Sequence, residues 1–159
     1  MMYHRPVTAQ DLPLLCTFPQ NEGELFYFFP TAQYPLTPEQ LSRTIAQRAA
    51  PTVVEDGGQV VAFADLFRLK NSHYTNIGNV MVAPEVRGRG VGQYLIKQMI
   101  ATARTTFGAR RVRVSCFNHN TPGLLLYARL GFVPYALEER VDWQGQRVAL
   151  IHLRMTLKS

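Results

Sequence analysis

A short run of residues gives this sequence its clearest chemical signal: Arg87-Gly88-Arg89-Gly90-Val91-Gly92-Gln93, entered through Val80-Met81-Val82-Ala83-Pro84. The apolar stretch reads as a strand broken by proline, and the residues after Gly90 carry helical periodicity, so the glycines lie at a strand-to-helix joint. Backbone N–H groups at a helix start have no intrahelical partner and add to the positive end of the macrodipole. Gly88, Gly90 and Gly92 remove side chains that would hold a phosphate away, and Arg87 and Arg89 add full positive charges. The combination suits a polyanionic ligand. Glycines in this setting also serve simply to connect a strand to a helix, and the turn alone does not choose between the two. Spacing excludes two phosphate signatures, since the dinucleotide fingerprint needs Gly-x-Gly-x-x-Gly and the phosphate loop needs Gly-Lys-Ser/Thr. Cys16 and Cys116 each lie in an apolar stretch with no partner at metal-ligand spacing, which predicts reduced thiols and no metal site.

These groups need elements to hold them. Tyr3–Val7 reads as a strand, and Thr8 or Asp11 opens a helix carrying Leu12, Leu14, Leu15 and Phe18. A second helix follows Thr37-Pro38-Glu39-Gln40, where a capping hydroxyl, a first-turn proline and a capping-box Gln precede Leu41, Ile45 and Ala49. Between them, Asn21–Tyr34 is rich in aromatics and shows no period that assigns it an element. Thr52–Glu55 and Gln59–Leu69 form a hairpin at Asp56-Gly57-Gly58, and Asn76–Val82 is a further strand. A helix over Gly90–Phe107, closed by Gly108, has apolar lines Val91, Leu95, Met99 and Ile96, Ile100, Ala103, Phe107. Then come a strand at Arg111–Phe117, a short helix at Thr121–Leu130 stopped by Gly131, and strands Phe132–Trp143 and Arg147–Leu157 turning at Gln144-Gly145. The predicted order is β-α-α-β-β-β-α-β-α-β-β. It implies one α/β domain over residues 1–159, a mixed central sheet flanked by helices on both faces.

At 47% apolar and 18% charged residues, the chain falls outside the disordered, collagen-like and coiled-coil classes. Its apolar runs stop far short of the ~20 residues that span a bilayer. The Met1–Pro6 start lacks a signal-peptide core, so the expected location is the cytoplasm, without a membrane partner. Seventeen Lys and Arg against eleven Asp and Glu give a net charge of +6, compatible with nucleic acid, an anionic surface or a polyanionic small molecule. Arg110, Arg111 and Arg113 stud one strand, but no continuous basic tract supports nucleic acid as the partner.

Arg87-x-x-Gly90-x-Gly92 after Val80–Pro84 resembles the acetyl-CoA-binding segment of the GCN5-related N-acetyltransferase (GNAT) superfamily. A second segment agrees with it. Asn120-Thr-Pro-Gly123-Leu-Leu-Leu126-Tyr127-Ala-Arg-Leu-Gly131-Phe132 is similar to that family's downstream Asn-x-x-Ala-x-x-Leu-Tyr-x-x-x-Gly-Phe pattern, with Gly123 in place of Ala. Both occur in the family's order, with a helix and a strand between them. The resemblance implies a GNAT-like domain that uses acetyl-CoA as cosubstrate and transfers the acetyl group directly to a primary amine. It further implies that the backbone of Val80, Met81 and Val82 holds the pantetheine arm and thioester as a pseudo-strand. Amides from Gly88, Arg89, Gly90, Val91, Gly92 and Gln93 would cradle the pyrophosphate, Arg87 would also bind the cofactor, and Asn120 would fix the pantetheine region. Tyr127 would sit by the sulfur as the acid for the leaving thiolate. Asn120 also suits a helix N-cap, and Tyr127 a packed aromatic.

The chain departs from the family at the base. Members with a strand Glu place it where this sequence has Ser115, or near Ile77-Gly78-Asn79. Glu22, Glu24, Asp65, His73, or a water acting through Ser115, stand as alternatives, each also readable as an ordinary surface group. The Asn21–Tyr34 stretch, with Glu22, Glu24 and the aromatic Phe26–Phe29, falls where the family builds its acceptor wall and reads equally as core aromatics. Cys116 offers a thiolate route, against which stands the absence of nearby charge to activate it. The acceptor, a small-molecule or peptide amine, is not specified. A non-catalytic acyl-CoA sensor of the same fold is the competing reading, and a homodimer is frequent among relatives of this kind.

Overall fold

The Asp56-Gly57-Gly58 turn folds as its composition dictates: Gly57 and Gly58 take φ of +60° and +81°, values that side chains resist. In the computed structural model, which describes residues 1–69 and 72–158, this turn joins β2 (Ala49–Asp56) to β3 (Gln59–Phe67). The other strands are β1 (Met2–Pro6), β4 (Thr75–Val82), β5 (Arg111–Phe117), β6 (Val133–Val141) and β7 (Arg147–Thr156). They form one seven-stranded sheet in the order β1-β2-β3-β4-β5-β7-β6, antiparallel except between β4 and β5. The helices are α1 (Leu12–Leu15), α2 (Glu22–Phe28), α3 (Pro38–Ala46), α4 (Val91–Phe107) and α5 (Thr121–Arg129). None is long and apolar enough to cross a membrane among the described residues.

Strand alternation assigns the helices to faces. Ala62 pairs with Val82, whose side chain lies beside Gly92 of α4, so Ala62, Ala64 and Leu66 form the face that receives α4. Two alanines there admit the helix closely. The opposite face carries Phe63, Asp65 and Phe67 and is covered by the segment that holds α1–α3, with Leu15 and Leu41 fully buried. Burial of this order, at ~25 cal/mol per Å² of apolar surface, is the main force holding the layers together.

Three expectations change at the N-terminal third. Asn21–Tyr34 contains α2, opened by Asn21, whose Oδ1 accepts a 2.9 Å hydrogen bond from the Glu24 amide. Asn with Glu three residues on is the signal for it; the aromatic run masked the period. The first helix is shorter than expected, a 3₁₀ turn at Ala9–Asp11 running into α1, and Phe18 lies beyond it because Pro19 disfavours a helical residue before it. Ala49 belongs to β2 and not to the second helix: it pairs with Leu66, and Ala50, ahead of Pro51, takes φ of +47°.

The feature that positions everything downstream is where β4 and β5 part. They pair only at Thr75–Val112, Asn76–Arg113 and Ile77–Val114. Immediately beyond, β4 bulges: Asn79 sits at φ +55°, and the register with β3 shifts between Phe63 and Asp65. Asp65, with no exposed surface, accepts a 2.7 Å hydrogen bond from Asn79 Nδ2 and faces Arg48 at 3.1 Å. Arg48 in turn lies 4.0 Å over the Phe67 ring. Burial pushes the Asp65 carboxyl up to about 7, against the pull of Arg48 and Asn79.

Asp65→Ala leaves Arg48 and the Asn79 amide without their partner, and should cost about 3 kcal/mol or more in urea unfolding at pH 8. Asp65→Asn, which keeps an acceptor oxygen, should cost much less. Because the folded chain holds this proton more tightly than the unfolded one, the contribution of Asp65 is greatest below a pH of about 4. It declines as pH rises through about 7, and Asp65→Asn should flatten that decline.

Candidate active site

Past Ile77 the β5-facing edge of β4 has no strand partner among the described residues, while Met81 and Val82 remain paired with Phe63 and Ala62 on the other edge. The β4 backbone at Val80–Val82 thus borders an opening between β4 and β5 with part of its polar groups unpaired by strand bonds, the Val82 carbonyl being taken by Arg87 Nε. The opening leads to the glycine loop. Gly88 and Gly90 take φ of +77° and +86°, and a Cβ at either would meet nothing within 4 Å, so these glycines shape a turn whose outer side is open. Gly90 caps α4 without a side-chain bond, and the first helical hydrogen bond runs from the Tyr94 amide to Gly90 at 3.0 Å. The amides of Val91, Gly92 and Gln93 therefore lack helical partners and converge on the loop. This open, uncapped nest suits a phosphate group.

Two loop residues do something other than expected. A Cβ on Gly92 would stand 3.2 Å from Leu126 Cδ2, so Gly92 lets α4 approach α5 as well as keeping the loop free of side chains. Arg87 does not point a free charge at the loop: its guanidinium grips Glu24 at 2.8 and 3.0 Å and the Phe18 carbonyl at 3.2 Å. Its Nε donates to the Val82 carbonyl at 3.1 Å. Burial opposes ionisation of Glu24, but the Arg87 contact and the Gln20 amide together hold its carboxyl below the usual range. Arg89 is exposed beside them.

The far wall is α5. Asn120 caps it, its Oδ1 accepting from the Gly123 amide at 3.2 Å. A Cβ at residue 123 would come within 2.8 Å of Asn120 Nδ2 and 3.0 Å of Cys116 Sγ, which accounts for glycine there. Tyr127 is buried, its ring edge-on to Phe132 at 5.9 Å, and burial drives its pKa well above the ordinary phenol value. It remains a proton donor at any working pH, and its hydroxyl makes no protein hydrogen bond among the described residues. Burial also pushes the Cys116 thiol up to about 12, and its Sγ lies 3.6 Å from the Asn120 carbonyl. A thiol so placed is not a thiolate nucleophile at neutral pH.

Across the sheet, on the face of Phe117, lies a cavity of about 200 Å³ whose lining includes Glu22, Phe26, Tyr34, Asp142 and Trp143. Phe26 packs on Phe117 at 4.3 Å and on Trp143 at 5.7 Å, and Trp143 lies against Gly23, where a Cβ would be 3.0 Å away. Of the aromatic stretch, Phe26 lines this cavity, Tyr27 is half-buried beside Phe117, Phe28 faces Arg87 and Phe29 is in the main core.

The candidates for a base separate clearly. Asp65 is sealed beneath β4, Glu24 is held by Arg87, and His73 is exposed in a turn outside the opening. Ser115, one residue past the last β4–β5 pair, is exposed, and its Oγ lies 2.7 Å from His152 Nδ1 on β7. His152 Nε2 is 3.1 Å from Glu138 Oε1. Neither His152 nor Glu138 stood out in sequence, because only the antiparallel register of β5 and β7 sets His152 opposite Ser115. The arginines of β5 do not make one stripe. Arg113 bonds Asn76, whereas Arg110 and Arg111 line a groove of about 530 Å³ with Arg104 and Lys158, at the end of α4 away from the loop.

Comparison with known proteins agrees with this geometry. The profile of the Acetyltransferase (GNAT) family matches residues 16–132. The Bacillus subtilis protein YwnH, provisionally named a phosphinothricin acetyltransferase, is 27% identical over 124 residues, covering 73% of this chain and 76% of that protein. A crystal structure provisionally named a phosphinothricin N-acetyltransferase superposes with a TM-score of 0.82 at 23% identity, covering 100% of both chains. The Salmonella typhimurium yncA structure, solved with its cofactor acetyl-CoA, gives 0.75 at 18% identity, covering 100% of this chain and 95% of that one. The chain belongs to the GNAT acetyltransferase family, and it is an acetyltransferase.

Gly90→Asp forces a side chain at φ +86° and sets a negative charge in the loop. Calorimetry should show acetyl-CoA affinity reduced by about 100-fold or more, the scale expected when a charge-assisted hydrogen bond to phosphate gives way to a repulsion. Gly90→Ala, which adds only the backbone strain, should weaken binding much less. Equal affinity in a folded Gly90→Asp protein would move the cofactor site elsewhere.

Proposed function

We propose that this acetyltransferase moves the acetyl group of acetyl-CoA directly to the primary amine of a small acceptor, within a ternary complex. The observation that carries the reading is the coincidence, at one opening, of an unpaired β4 edge, an uncapped α4 N-terminus and a buried, protonated phenol. Bound acetyl-CoA supplies an acetyl group already activated as a thioester. The backbone of Val80, Met81 and Val82 holds the pantetheine arm as an added strand, and the amides of Gly88 through Gln93 hold the pyrophosphate, with Arg89 adding charge. Arg87 contributes by fixing the loop to α2 through Glu24. Asn120 keeps its amide group for the pantetheine region while its carbonyl caps α5. Tyr127 donates its proton to the departing sulfur.

The acceptor side favours a compact amine. The cavity of about 200 Å³ combines the aromatic Phe26, Tyr34 and Trp143 with the carboxylates of Glu22 and Asp142, an apolar surround with anionic edges that suits an ammonium-bearing molecule. Two relatives named for phosphinothricin acetylation support an acceptor of that size. The test is CoA release by the purified protein against a panel of amines that includes phosphinothricin, amino acids, polyamines and alanyl peptides. Turnover confined to small amines is expected, and preference for peptides would overturn the acceptor class.

With an acceptor in hand, Tyr127→Phe keeps the ring contacts and deletes the donor, so kcat should fall by about 10²-fold with the Kd for acetyl-CoA unchanged. A structural tyrosine would instead leave both kcat and stability nearly unchanged, since its hydroxyl has no protein hydrogen bond to lose among the described residues. Cys116→Ala should keep most of the activity, since direct transfer needs no enzyme thiol. Loss of turnover in a folded Cys116→Ala protein, with acetylated Cys116 in the parent, would establish the thiol route.

A further inference from the structure

We infer that Ser115, His152 and Glu138 form a relay that removes the proton from the acceptor's ammonium group, an inference that rests on the acetyl-transfer reading and supplies its missing base. The three side chains come from neighbouring strands, β5, β7 and β6. Ser115 Oγ is 2.7 Å from His152 Nδ1, and His152 Nε2 is 3.1 Å from Glu138 Oε1. Their exposures fall in the order such a relay requires. Ser115 is exposed at the point where β4 and β5 separate, His152 is only 9% exposed behind it, and Glu138 is open to solvent on the far side.

Chemistry decides the direction of the hydrogen bonds. Its contacts with Arg140 and His152 hold the Glu138 carboxyl below the usual range, so it is ionised at neutral pH and can only accept. A lone pair on His152 Nε2 facing that carboxylate at 3.1 Å would be repelled, so Nε2 carries the hydrogen. Nδ1 then bears the lone pair, and the Ser115 hydroxyl donates to it. An ammonium group at Ser115 Oγ can pass a proton to that oxygen while the serine's own proton moves to Nδ1. One N–H bond of the acceptor breaks, one N–H bond of the imidazole forms, and the amine nitrogen is left with the lone pair that attacks the thioester. Glu138 stabilises the resulting imidazolium. The other groups facing the imidazole are the Tyr135 ring at 6.3 Å, with Arg154 stacked on it at 4.5 Å, and Arg140 behind Glu138. Ser115 is the catalytic group that touches the acceptor; His152 and Glu138 act through it.

The tautomer can be read without any acceptor. Heteronuclear NMR of the imidazole nitrogens should show neutral His152 as the Nε2–H form, with Ser115→Ala shifting the Nδ1 signal. A neutral Nδ1–H form overturns the relay. With a turned-over amine, Ser115→Ala and His152→Gln should lower kcat at neutral pH by about 10²-fold and move the acidic limb of the pH profile towards the amine's own ionisation. Acetyl-CoA affinity should stay unchanged. Glu138→Gln, a surface change that spares the packing, should lower kcat several-fold and abolish the tautomer preference. A Ser115→Ala protein with the parent's kcat and pH profile overturns the relay and leaves acetyl transfer standing. A parent that binds acetyl-CoA yet acetylates no amine counts against the acetyl-transfer reading, and the NMR tautomer still decides the relay's geometry.

Discussion

Everything at the opening depends on β4 and β5 being paired for three residues and then prevented from pairing further. Parallel strands that started in register would ordinarily continue, since each further residue satisfies a backbone donor and acceptor. The bulge at Asn79 interrupts this. Its left-handed backbone is held by the hydrogen bond to Asp65, a carboxylate fixed from the other side by Arg48. A buried polar group on β3 thus sets the direction of β4, and unpaired backbone becomes available to a ligand only because of it.

The walls of the opening are joined by two close contacts. Gly92 lets α4 approach Leu126 of α5, which brings the helix that presents the loop close to the helix that presents Tyr127. On the other side, the paired hydrogen bonds between Arg87 and Glu24 tie the loop to α2, which two residues on carries Phe26 at the cavity proposed for the acceptor. The glycine loop and the cavity proposed for the acceptor are therefore joined through one charge-assisted pair. The sensible assignment for Arg87 is structural continuity between the two sites, with direct phosphate charge left to Arg89 and the amides.

Much of this was legible in the residues alone, for reasons that can be named. The strands and hairpins around Gly57 and Gly145, the span of α4 between Gly90 and Gly108, and the start of α5 at Asn120 are set by local backbone chemistry, which sequence displays directly. The helix α2 was hidden because its apolar residues are divided between the main core, which takes Leu25 and the C-cap Phe29, and a second small cluster around Phe26 and Phe117, and so leave no simple apolar stripe. The limits of Arg87 as a phosphate ligand and the neighbours of Ser115 were out of reach for a different reason. Glu24 and His152 lie far along the chain from their partners, and only strand order and register bring them together.

Burial explains why one opening holds both a phenol and a thiol yet uses them differently. The same loss of solvent raises the pKa of both groups, because it disfavours the anion in each case. For Cys116 the consequence is loss of function as a nucleophile, since the thiolate is the reactive form. For Tyr127 the consequence is retention of its proton, which its proposed role as the acid for the leaving thiolate requires. On the proposed reading, burial alone favours direct transfer over a covalent thioester route, without any residue dedicated to that choice. In the proposed reaction the cost falls on the acceptor, whose ammonium would lose its proton elsewhere, and at the exposed Ser115 of β5 a polar group could meet it without entering the core.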